Sequence, residues 1–202
     1  LDEQRMDAQE LRDVDKVFVV ACGTAYHSGL IAKYAIEHWT RIPVEVEMAS
    51  EFRYRDPVLD RDTLVVAISQ SGETADTLEA VRHAREQKAR VLAVCNANGA
   101  QIPRESDAVL YTRAGLEVSV AASKTFTAQV SLLFLVALKL AQVRETLPPE
   151  ELTFILDEVY LLPEKIQAFL DAFDDAREEL ARRLADIVGD APFLYDGLPG
   201  AR

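Results

Sequence analysis

Five short apolar runs, each followed by a polar cluster, constrain the fold of this chain more than any other feature. Most are continuous in β-branched and other apolar residues, as expected for strands buried on both faces of a parallel sheet. No two-residue hairpin turn joins one run directly to the next, and helical patterns lie between most of them. The runs are residues 17–22, 44–48, 63–68, 91–95 and 108–111.

This order predicts an α/β fold in three layers, with a five-stranded parallel sheet flanked by helices and followed by C-terminal helices. The run 44–48 alternates between apolar and charged residues, which indicates a strand near the sheet edge. Thr24 is a candidate N-cap for the first helix. The predicted helices are residues 25–39, 74–87, 124–143, 150–162, 164–173 and 174–188, the fourth and fifth separated by Pro163, and residues 192–195 predict one more strand.

Composition and charge narrow the classes of partner. The 202 residues are 49% hydrophobic and 28% charged, a normal globular balance, and the net charge is −12. That charge argues against nucleic acid or an anionic membrane as a partner. The polar start of the chain does not resemble a signal peptide, and the apolar run 130–138 is far shorter than the roughly 20 residues of a membrane span. Two cysteines, Cys22 and Cys95, are predicted to be buried and reduced, so we expect a cytoplasmic protein.

Polar clusters follow three of the predicted strands, at the edge of a parallel sheet where ligands bind. They are residues 22–24, 69–74 and 117–123. In the second cluster, Ser69, Gln70, Ser71 and Thr74 stand between a strand and a helix N-terminus, where unpaired N–H groups and the helix dipole stabilise an anion such as phosphate. Four hydrogen bonds to such a ligand, less the cost of ordering, give roughly millimolar to micromolar affinity.

Other ligand motifs fit poorly. Neither a GxGxxG dinucleotide fingerprint nor a Walker A sequence is present. The three histidines, His27, His38 and His83, are scattered at helical positions and predict no metal site. Cys22 near His27 invites a thiol-protease interpretation, but a histidine at the start of a helix is more often a surface or capping residue. Glu117 and Lys124 flank the third cluster, either as ordinary helix-terminal charges or as functional groups.

Four segments, taken together and in order, resemble the first sugar isomerase (SIS) domain of the glutamine–fructose-6-phosphate aminotransferases. The resemblance extends from about residue 17 to residue 141 and is weaker through the helical tail. It implies a flavodoxin-like or Rossmann-like SIS fold and a phosphosugar site that needs no metal or other cofactor. The segments are Cys22-Gly23-Thr24-Ala25, residues 49–54, residues 69–78 and residues 117–121.

The resemblance also implies which residues bind the sugar phosphate, either fructose 6-phosphate or glucosamine 6-phosphate. Two positions depart from the family pattern: Ala25 stands where serine is common, and Ala122-Ser123 replaces Ser-Thr, so two hydroxyl groups are missing. The implied site consists of Thr24, Ser69, Gln70, Ser71, Thr74 and Val120, with Gly23, Ala25, Glu117, Ala121 and Ser123 as further possible contacts.

In this family the glutaminase domain, the second SIS domain and a C-terminal tail carry the catalytic groups. The resemblance therefore predicts a lead-in arm (1–15), a first SIS domain (16–145), a helical connector (146–190) and the start of a second SIS domain (191–202). We expect such a chain to bind phosphosugar without turning it over, and the apolar helix from Lys124 favours a homodimer. The alternatives are a regulatory SIS module that senses a phosphosugar and a stand-alone phosphosugar isomerase.

Overall fold

The computed structural model describes residues 6–118 and 121–188. The chain divides into two compact units, Leu1–Leu152 and Thr153–Arg202. The predicted strand at 192–195 and the predicted second-domain start lie outside the described residues.

The first unit is built on a five-stranded, fully parallel sheet, as predicted from the apolar runs. Its spatial order is β2-β1-β3-β4-β5, so the alternating strand β2 lies at one edge and β5 at the other. The doubly wound arrangement reverses direction between β1 and β3, which is where such sheets form a ligand crevice. The strands are β1 (Lys16–Ala21), β2 (Val44–Met48), β3 (Thr63–Ser69), β4 (Arg90–Cys95) and β5 (Ala108–Tyr111).

Eight helices precede, connect or follow the strands in the described part of the chain. Residues 8–12, 49–55 and 101–105 form short helices that are not among the six predicted, and the two helices predicted on either side of residues 173–174 are one. Pro163 lies in the first turn of that helix, where its missing N–H is not needed. The helices are α1 (Ala8–Arg12), α2 (Thr24–Thr40), α3 (Ala49–Arg55), α4 (Ala75–Glu86), α5 (Gln101–Glu105), α6 (Lys124–Arg144), α7 (Pro149–Tyr160) and α8 (Leu162–Val188).

Alternate residues of the strands face two separate cores, one on each side of the sheet. Val17, Val19 and Ala21 of β1 belong to a core with residues of α1, α2 and α6, including the fully buried Leu133 and Leu140. The other core holds Phe18 and Val20 with residues of α3, α4 and α5. Its centre includes Phe18 and Phe52, whose ring centroids are 5.6 Å apart in an edge-to-face contact. A layer of helices on each face is therefore what buries the continuous apolar strands.

Helix α6 is the one described helix that is long and apolar enough to cross a membrane. Its length and composition are also those of a buried core helix, and part of its surface packs in that way. Leu133, Ala137 and Leu140 are buried in the core that α6 shares with α2. Trp39 of α2 contacts Phe134 of α6, with ring centroids 5.5 Å apart. The expectation of burial in the core is confirmed for this side of the helix.

The second unit contains the amphipathic helix α8. Its apolar side chains recur at helical spacing and remain exposed, among them Ile166, Phe169 and Phe173. Phe169 and Phe173 stack with their ring centroids 6.4 Å apart. On its polar side, Arg183 donates to the Glu179 carboxylate four residues earlier at 2.7 Å, a pairing that supports a continuous helix.

Candidate anion-binding site at the switch point of the sheet

The register of the sheet places the ends of β1, β3 and β4 side by side. Ala21 of β1 is paired with Ile68 of β3, and Ser69 of β3 is paired with Cys95 of β4. The loops after these strands therefore emerge together at the carboxyl end of the sheet. Since β2 lies on the other side of β1, the crevice between β1 and β3 is the switch point of the fold.

The loop after β3 is built on the buried hydroxyl of Ser69. Its Oγ accepts a hydrogen bond from the backbone N–H of Gly72 at 3.0 Å and lies 2.9 Å from Thr74 Oγ1. Ser71, in contrast, is exposed, and its Oγ accepts a long local bond from the N–H of Glu73 at 3.2 Å. The predicted residues are therefore brought together in two roles: Ser69 shapes the loop, and Ser71 presents its hydroxyl outward.

Gly72 is the position in this loop where a side chain does not fit. Its φ of +68° lies in the left-handed region, and an added Cβ would come within 2.5 Å of the Ala100 Cβ. The carbonyl of Gly72 also accepts the N–H of Ile102, the second residue of α5, at 2.9 Å. Close packing against α5 and a left-handed backbone together require glycine here.

The loop opens directly onto the N-terminus of α4. Thr74 is the N-cap, but its side chain makes no capping hydrogen bond, so the first-turn N–H groups are left to other acceptors. The neighbouring acidic group is directed elsewhere, since the Glu73 carboxylate accepts the N–H of Gln101 at 2.8 Å and caps α5. An anion at this position would meet the positive end of a twelve-residue helix without direct competition from Glu73.

A second helix, α2, begins at the same edge after β1. The prediction that Thr24 is its N-cap was wrong: Gly23 is the N-cap and Thr24 is the first helical residue. The reason is the backbone of Gly23, whose φ of +61° makes the turn from strand to helix. Gly23 supplies no side-chain cap, so the N–H groups at this end also lack a local partner of that kind. Thr24 is half-buried and Ala25 is buried beside it.

Asn96, directly after β4, binds the first part of the loop between β5 and α6 (residues 112–123), called the third loop here. Its side-chain oxygen accepts hydrogen bonds from Thr112 Oγ1 and from the N–H of Ala114, both at 2.9 Å. Its side-chain nitrogen donates to the carbonyl of Gly115 at 2.6 Å. The local sequence Asn96-Ala97-Asn98-Gly99 indicates only a turn, because nothing in it announces contacts with residues sixteen or more positions away.

Glu117 fastens the second part of the same loop to α6. Its carboxylate accepts hydrogen bonds from the N–H of Thr125 at 3.1 Å and from Thr125 Oγ1 at 2.9 Å. These bonds from the backbone and side chain of Thr125 hold the pKa of Glu117 below its usual value. The N-cap of α6, Ser123, makes no side-chain capping bond, so Glu117 serves as the cap from outside the helix.

Other members of the predicted site are placed less closely. Ala121 and Ser123 lie exposed at the end of the third loop. Val120 lies outside the described residues.

Within the described ranges, no three His, Cys, Asp or Glu residues are grouped so that they could hold a metal ion. Cys22 and Cys95 are free thiols, and burial raises the pKa of Cys95 to about 12, which makes it unreactive as a thiolate.

This geometry defines a class: a doubly wound α/β domain with two helix N-termini and a hydroxyl-rich loop at its switch point. The chain belongs to the SIS domain family, whose family model matches residues 10–139. The resemblance inferred from the four sequence segments is thereby confirmed, as is the predicted three-layer fold.

Two relatives and two solved structures illustrate the similarity. The chain is 68% identical over 92% of its length to the glutamine–fructose-6-phosphate aminotransferase [isomerizing] of Mycolicibacterium smegmatis, and 63% identical over 92% to that of Streptomyces coelicolor. It spans 29% and 30% of those relatives.

The C-terminal domain of glucosamine-fructose-6-phosphate aminotransferase from Francisella tularensis matches 89% of this chain with 51% of its own, at a TM-score of 0.80 and 35% identity. A putative phosphosugar isomerase from Silicibacter pomeroyi matches 80% of this chain with 50% of its own, at a TM-score of 0.67 and 27% identity.

Proposed function

We propose that this chain binds a sugar phosphate, fructose 6-phosphate or glucosamine 6-phosphate, as the first SIS domain of a glutamine–fructose-6-phosphate aminotransferase. The observation that carries the proposal is the uncapped N-terminus of α4 behind the Ser69–Thr74 loop. The phosphate would accept the first-turn N–H groups of α4, the Ser71 hydroxyl and the Gln70 amide. Thr24, at the start of α2, and the backbone of Val120 would contact the sugar.

We propose further that these residues bind and position the substrate but transfer no proton. A general base needs a carboxylate or imidazole that is available to the substrate. The two carboxylates closest to these loops in sequence, Glu73 and Glu117, already accept hydrogen bonds from Gln101 and Thr125. In the parent reaction, which converts fructose 6-phosphate and glutamine to glucosamine 6-phosphate and glutamate, the chemistry would then fall to the segments of its relatives that this chain does not match.

Calorimetric titration with fructose 6-phosphate, glucosamine 6-phosphate and unphosphorylated fructose tests the binding proposal. We expect millimolar-to-micromolar binding of both phosphates and much weaker binding of fructose, because the phosphate supplies most of the contacts. Equal binding of all three sugars, or no binding of any, would refute the proposal.

The structure favours Ser71→Ala over Ser69→Ala as the test variant. Ser69 is buried and holds Gly72 and Thr74, so its removal would disturb the loop itself. Ser71 is exposed, and its loss should weaken phosphosugar binding by about three- to tenfold at unchanged thermal stability. Ser106→Ala is the matched control, because Ser106 precedes β5, at the opposite end of the strands, and its hydroxyl donates to the Ile102 carbonyl.

We also propose that the protein is cytoplasmic and forms a homodimer. Free thiols at Cys22 and Cys95 are consistent with a reducing compartment. On α2 the apolar side chain of Ile31 is 39% exposed and Tyr34 is 76% exposed, a surface that a second copy could cover. Sedimentation at several protein concentrations tests this, and a concentration-independent monomer would contradict it.

A further inference from the structure

Asn96 contacts two loops of the site at once. The backbone of Asn96 is bonded to the loop after β3 (residues 69–74), which we call the phosphate loop. The N–H groups of Asn96 and of its neighbour Ala97 both donate to the carbonyl of Gln70, at 3.1 and 3.2 Å. Through its side chain Asn96 is fixed to the third loop, at Thr112, Ala114 and Gly115. One residue therefore spans the distance between the loop expected to hold the phosphate and the loop expected to reach the sugar.

The chemistry of these contacts suits asparagine in particular. The N–H of Ala114 can only donate and the carbonyl of Gly115 can only accept, so the side chain at position 96 must offer an acceptor and a donor together. Aspartate would keep the two bonds to its oxygen and lose the donor. Alanine would lose all three side-chain bonds and keep the backbone bonds to Gln70.

We propose that Asn96 is a positioning residue for phosphosugar binding, holding the third loop at a fixed place relative to the phosphate loop. The inference rests on the proposed function, since it concerns the same site. A ligand that touches only the phosphate loop should be indifferent to Asn96. A ligand that touches both loops should bind more weakly when the third loop is released, because binding must then order that loop.

The test compares two ligands on the 202-residue chain. In Asn96→Ala we expect affinity for fructose 6-phosphate to fall about tenfold, because the three side-chain bonds that order the third loop are lost, while affinity for inorganic phosphate changes by less than about twofold. Asn96→Asp should restore little of the fructose 6-phosphate affinity, because a carboxylate oxygen would replace the N–H donor and face the Gly115 carbonyl, which can only accept. Asn98→Ala is the matched control: Asn98 is the same residue type two positions on and is exposed, and among the described residues its side chain has no hydrogen-bond partner.

Amide NMR spectra give a readout that does not depend on ligand. Asn96→Ala should shift or broaden the amide resonances of Ala114 and Gly115, while residues 64–68 of β3 and residues 71–73 keep their shifts, because the backbone bonds to Gln70 remain. The Asn98→Ala spectrum should leave both loops unchanged.

Several outcomes would overturn the inference. Unchanged fructose 6-phosphate affinity in Asn96→Ala would do so, as would equal losses for fructose 6-phosphate and inorganic phosphate, which would indicate general loosening of the fold. If the wild-type chain binds no phosphosugar, the proposed function fails instead. The spectra then test the positioning role by themselves: unchanged amide resonances of Ala114 and Gly115 in Asn96→Ala would refute it, because the third loop would then keep its place without the Asn96 side chain.

Discussion

Replacing Gly72 with alanine separates two costs that the structure assigns to this position. The first is conformational: a Cβ at a φ of +68° costs about 1–2 kcal/mol. The second is steric, because the new methyl group would lie 2.5 Å from the Ala100 Cβ and 3.3 Å from the Pro103 Cδ. Overpacking of this kind costs about 1–3 kcal/mol, so Gly72→Ala should destabilise the protein by roughly 2–5 kcal/mol.

Gly99→Ala provides the matched control. Gly99 has nearly the same φ, +72°, but nothing lies within 4 Å of the position that a Cβ would occupy there. Only the conformational cost applies at Gly99, about 1–2 kcal/mol. Both substitutions restrict the unfolded chain equally, so that contribution cancels when the two variants are compared.

Urea denaturation followed by circular dichroism measures the difference. With a slope of about 1–3 kcal/mol per molar urea, Gly72→Ala should lower the midpoint by about 1–2 M and Gly99→Ala by about half that or less. The excess loss in Gly72→Ala is the cost of pressing the loop against α5. Equal midpoints for the two variants would refute the steric reasoning, because they would mean that α5 yields without cost.

Three further predictions concern ionisable groups. The carboxylate of Glu105 accepts two bonds from Arg82, which lower the pKa of Glu105 to about 2; NMR titration should find this value, and Arg82→Gln should return it towards 4.5. Iodoacetamide should modify the half-buried Cys22 in the native protein and Cys95 only after unfolding; equal native rates would contradict the burial of Cys95. Because the folded-state pKa of Glu117 is lowered, its stabilisation is present above pH 4.5 and lost as the pH falls through the lowered value. The difference in thermal midpoint between wild type and Glu117→Gln should therefore shrink on acidification, and a constant difference would rule out a charge effect.

The sequence specified the sheet because burial on both faces leaves a plain signal. A strand such as β3, with all seven residues buried, has no polar position to interrupt the apolar run. The boundaries of β5 agree with the prediction, and those of β1, β3 and β4 differ by one residue at one or both ends. The alternation of β2 likewise predicted its place at the edge, since only one face of an edge strand needs to be fully covered.

Helix boundaries were less well determined where they depend on contacts. The short helices α3 and α5 are too short to be stable alone, and α5 is held by the bond from Ile102 to Gly72. The N-cap of α2 was displaced by one residue because Gly23 adopts a left-handed conformation that the sequence permits but does not demand. The boundary predicted at Pro163 lies within two residues of the junction between α7 and α8, whereas the boundary predicted between residues 173 and 174 is absent because α8 continues to Val188.

For the site, the sequence by itself determined the chemical inventory: hydroxyls and an amide at the end of a buried strand, followed at once by a helix. Local order along the chain was sufficient for that conclusion. Only the tertiary structure decided which groups remain available, because hydrogen bonds between distant segments assign them. The Ser69 hydroxyl accepts a hydrogen bond within its own loop, Glu117 caps α6, and Asn96 bonds to two loops. Those partners are set by how the strands lie side by side, and that arrangement has no counterpart in the spacing of residues.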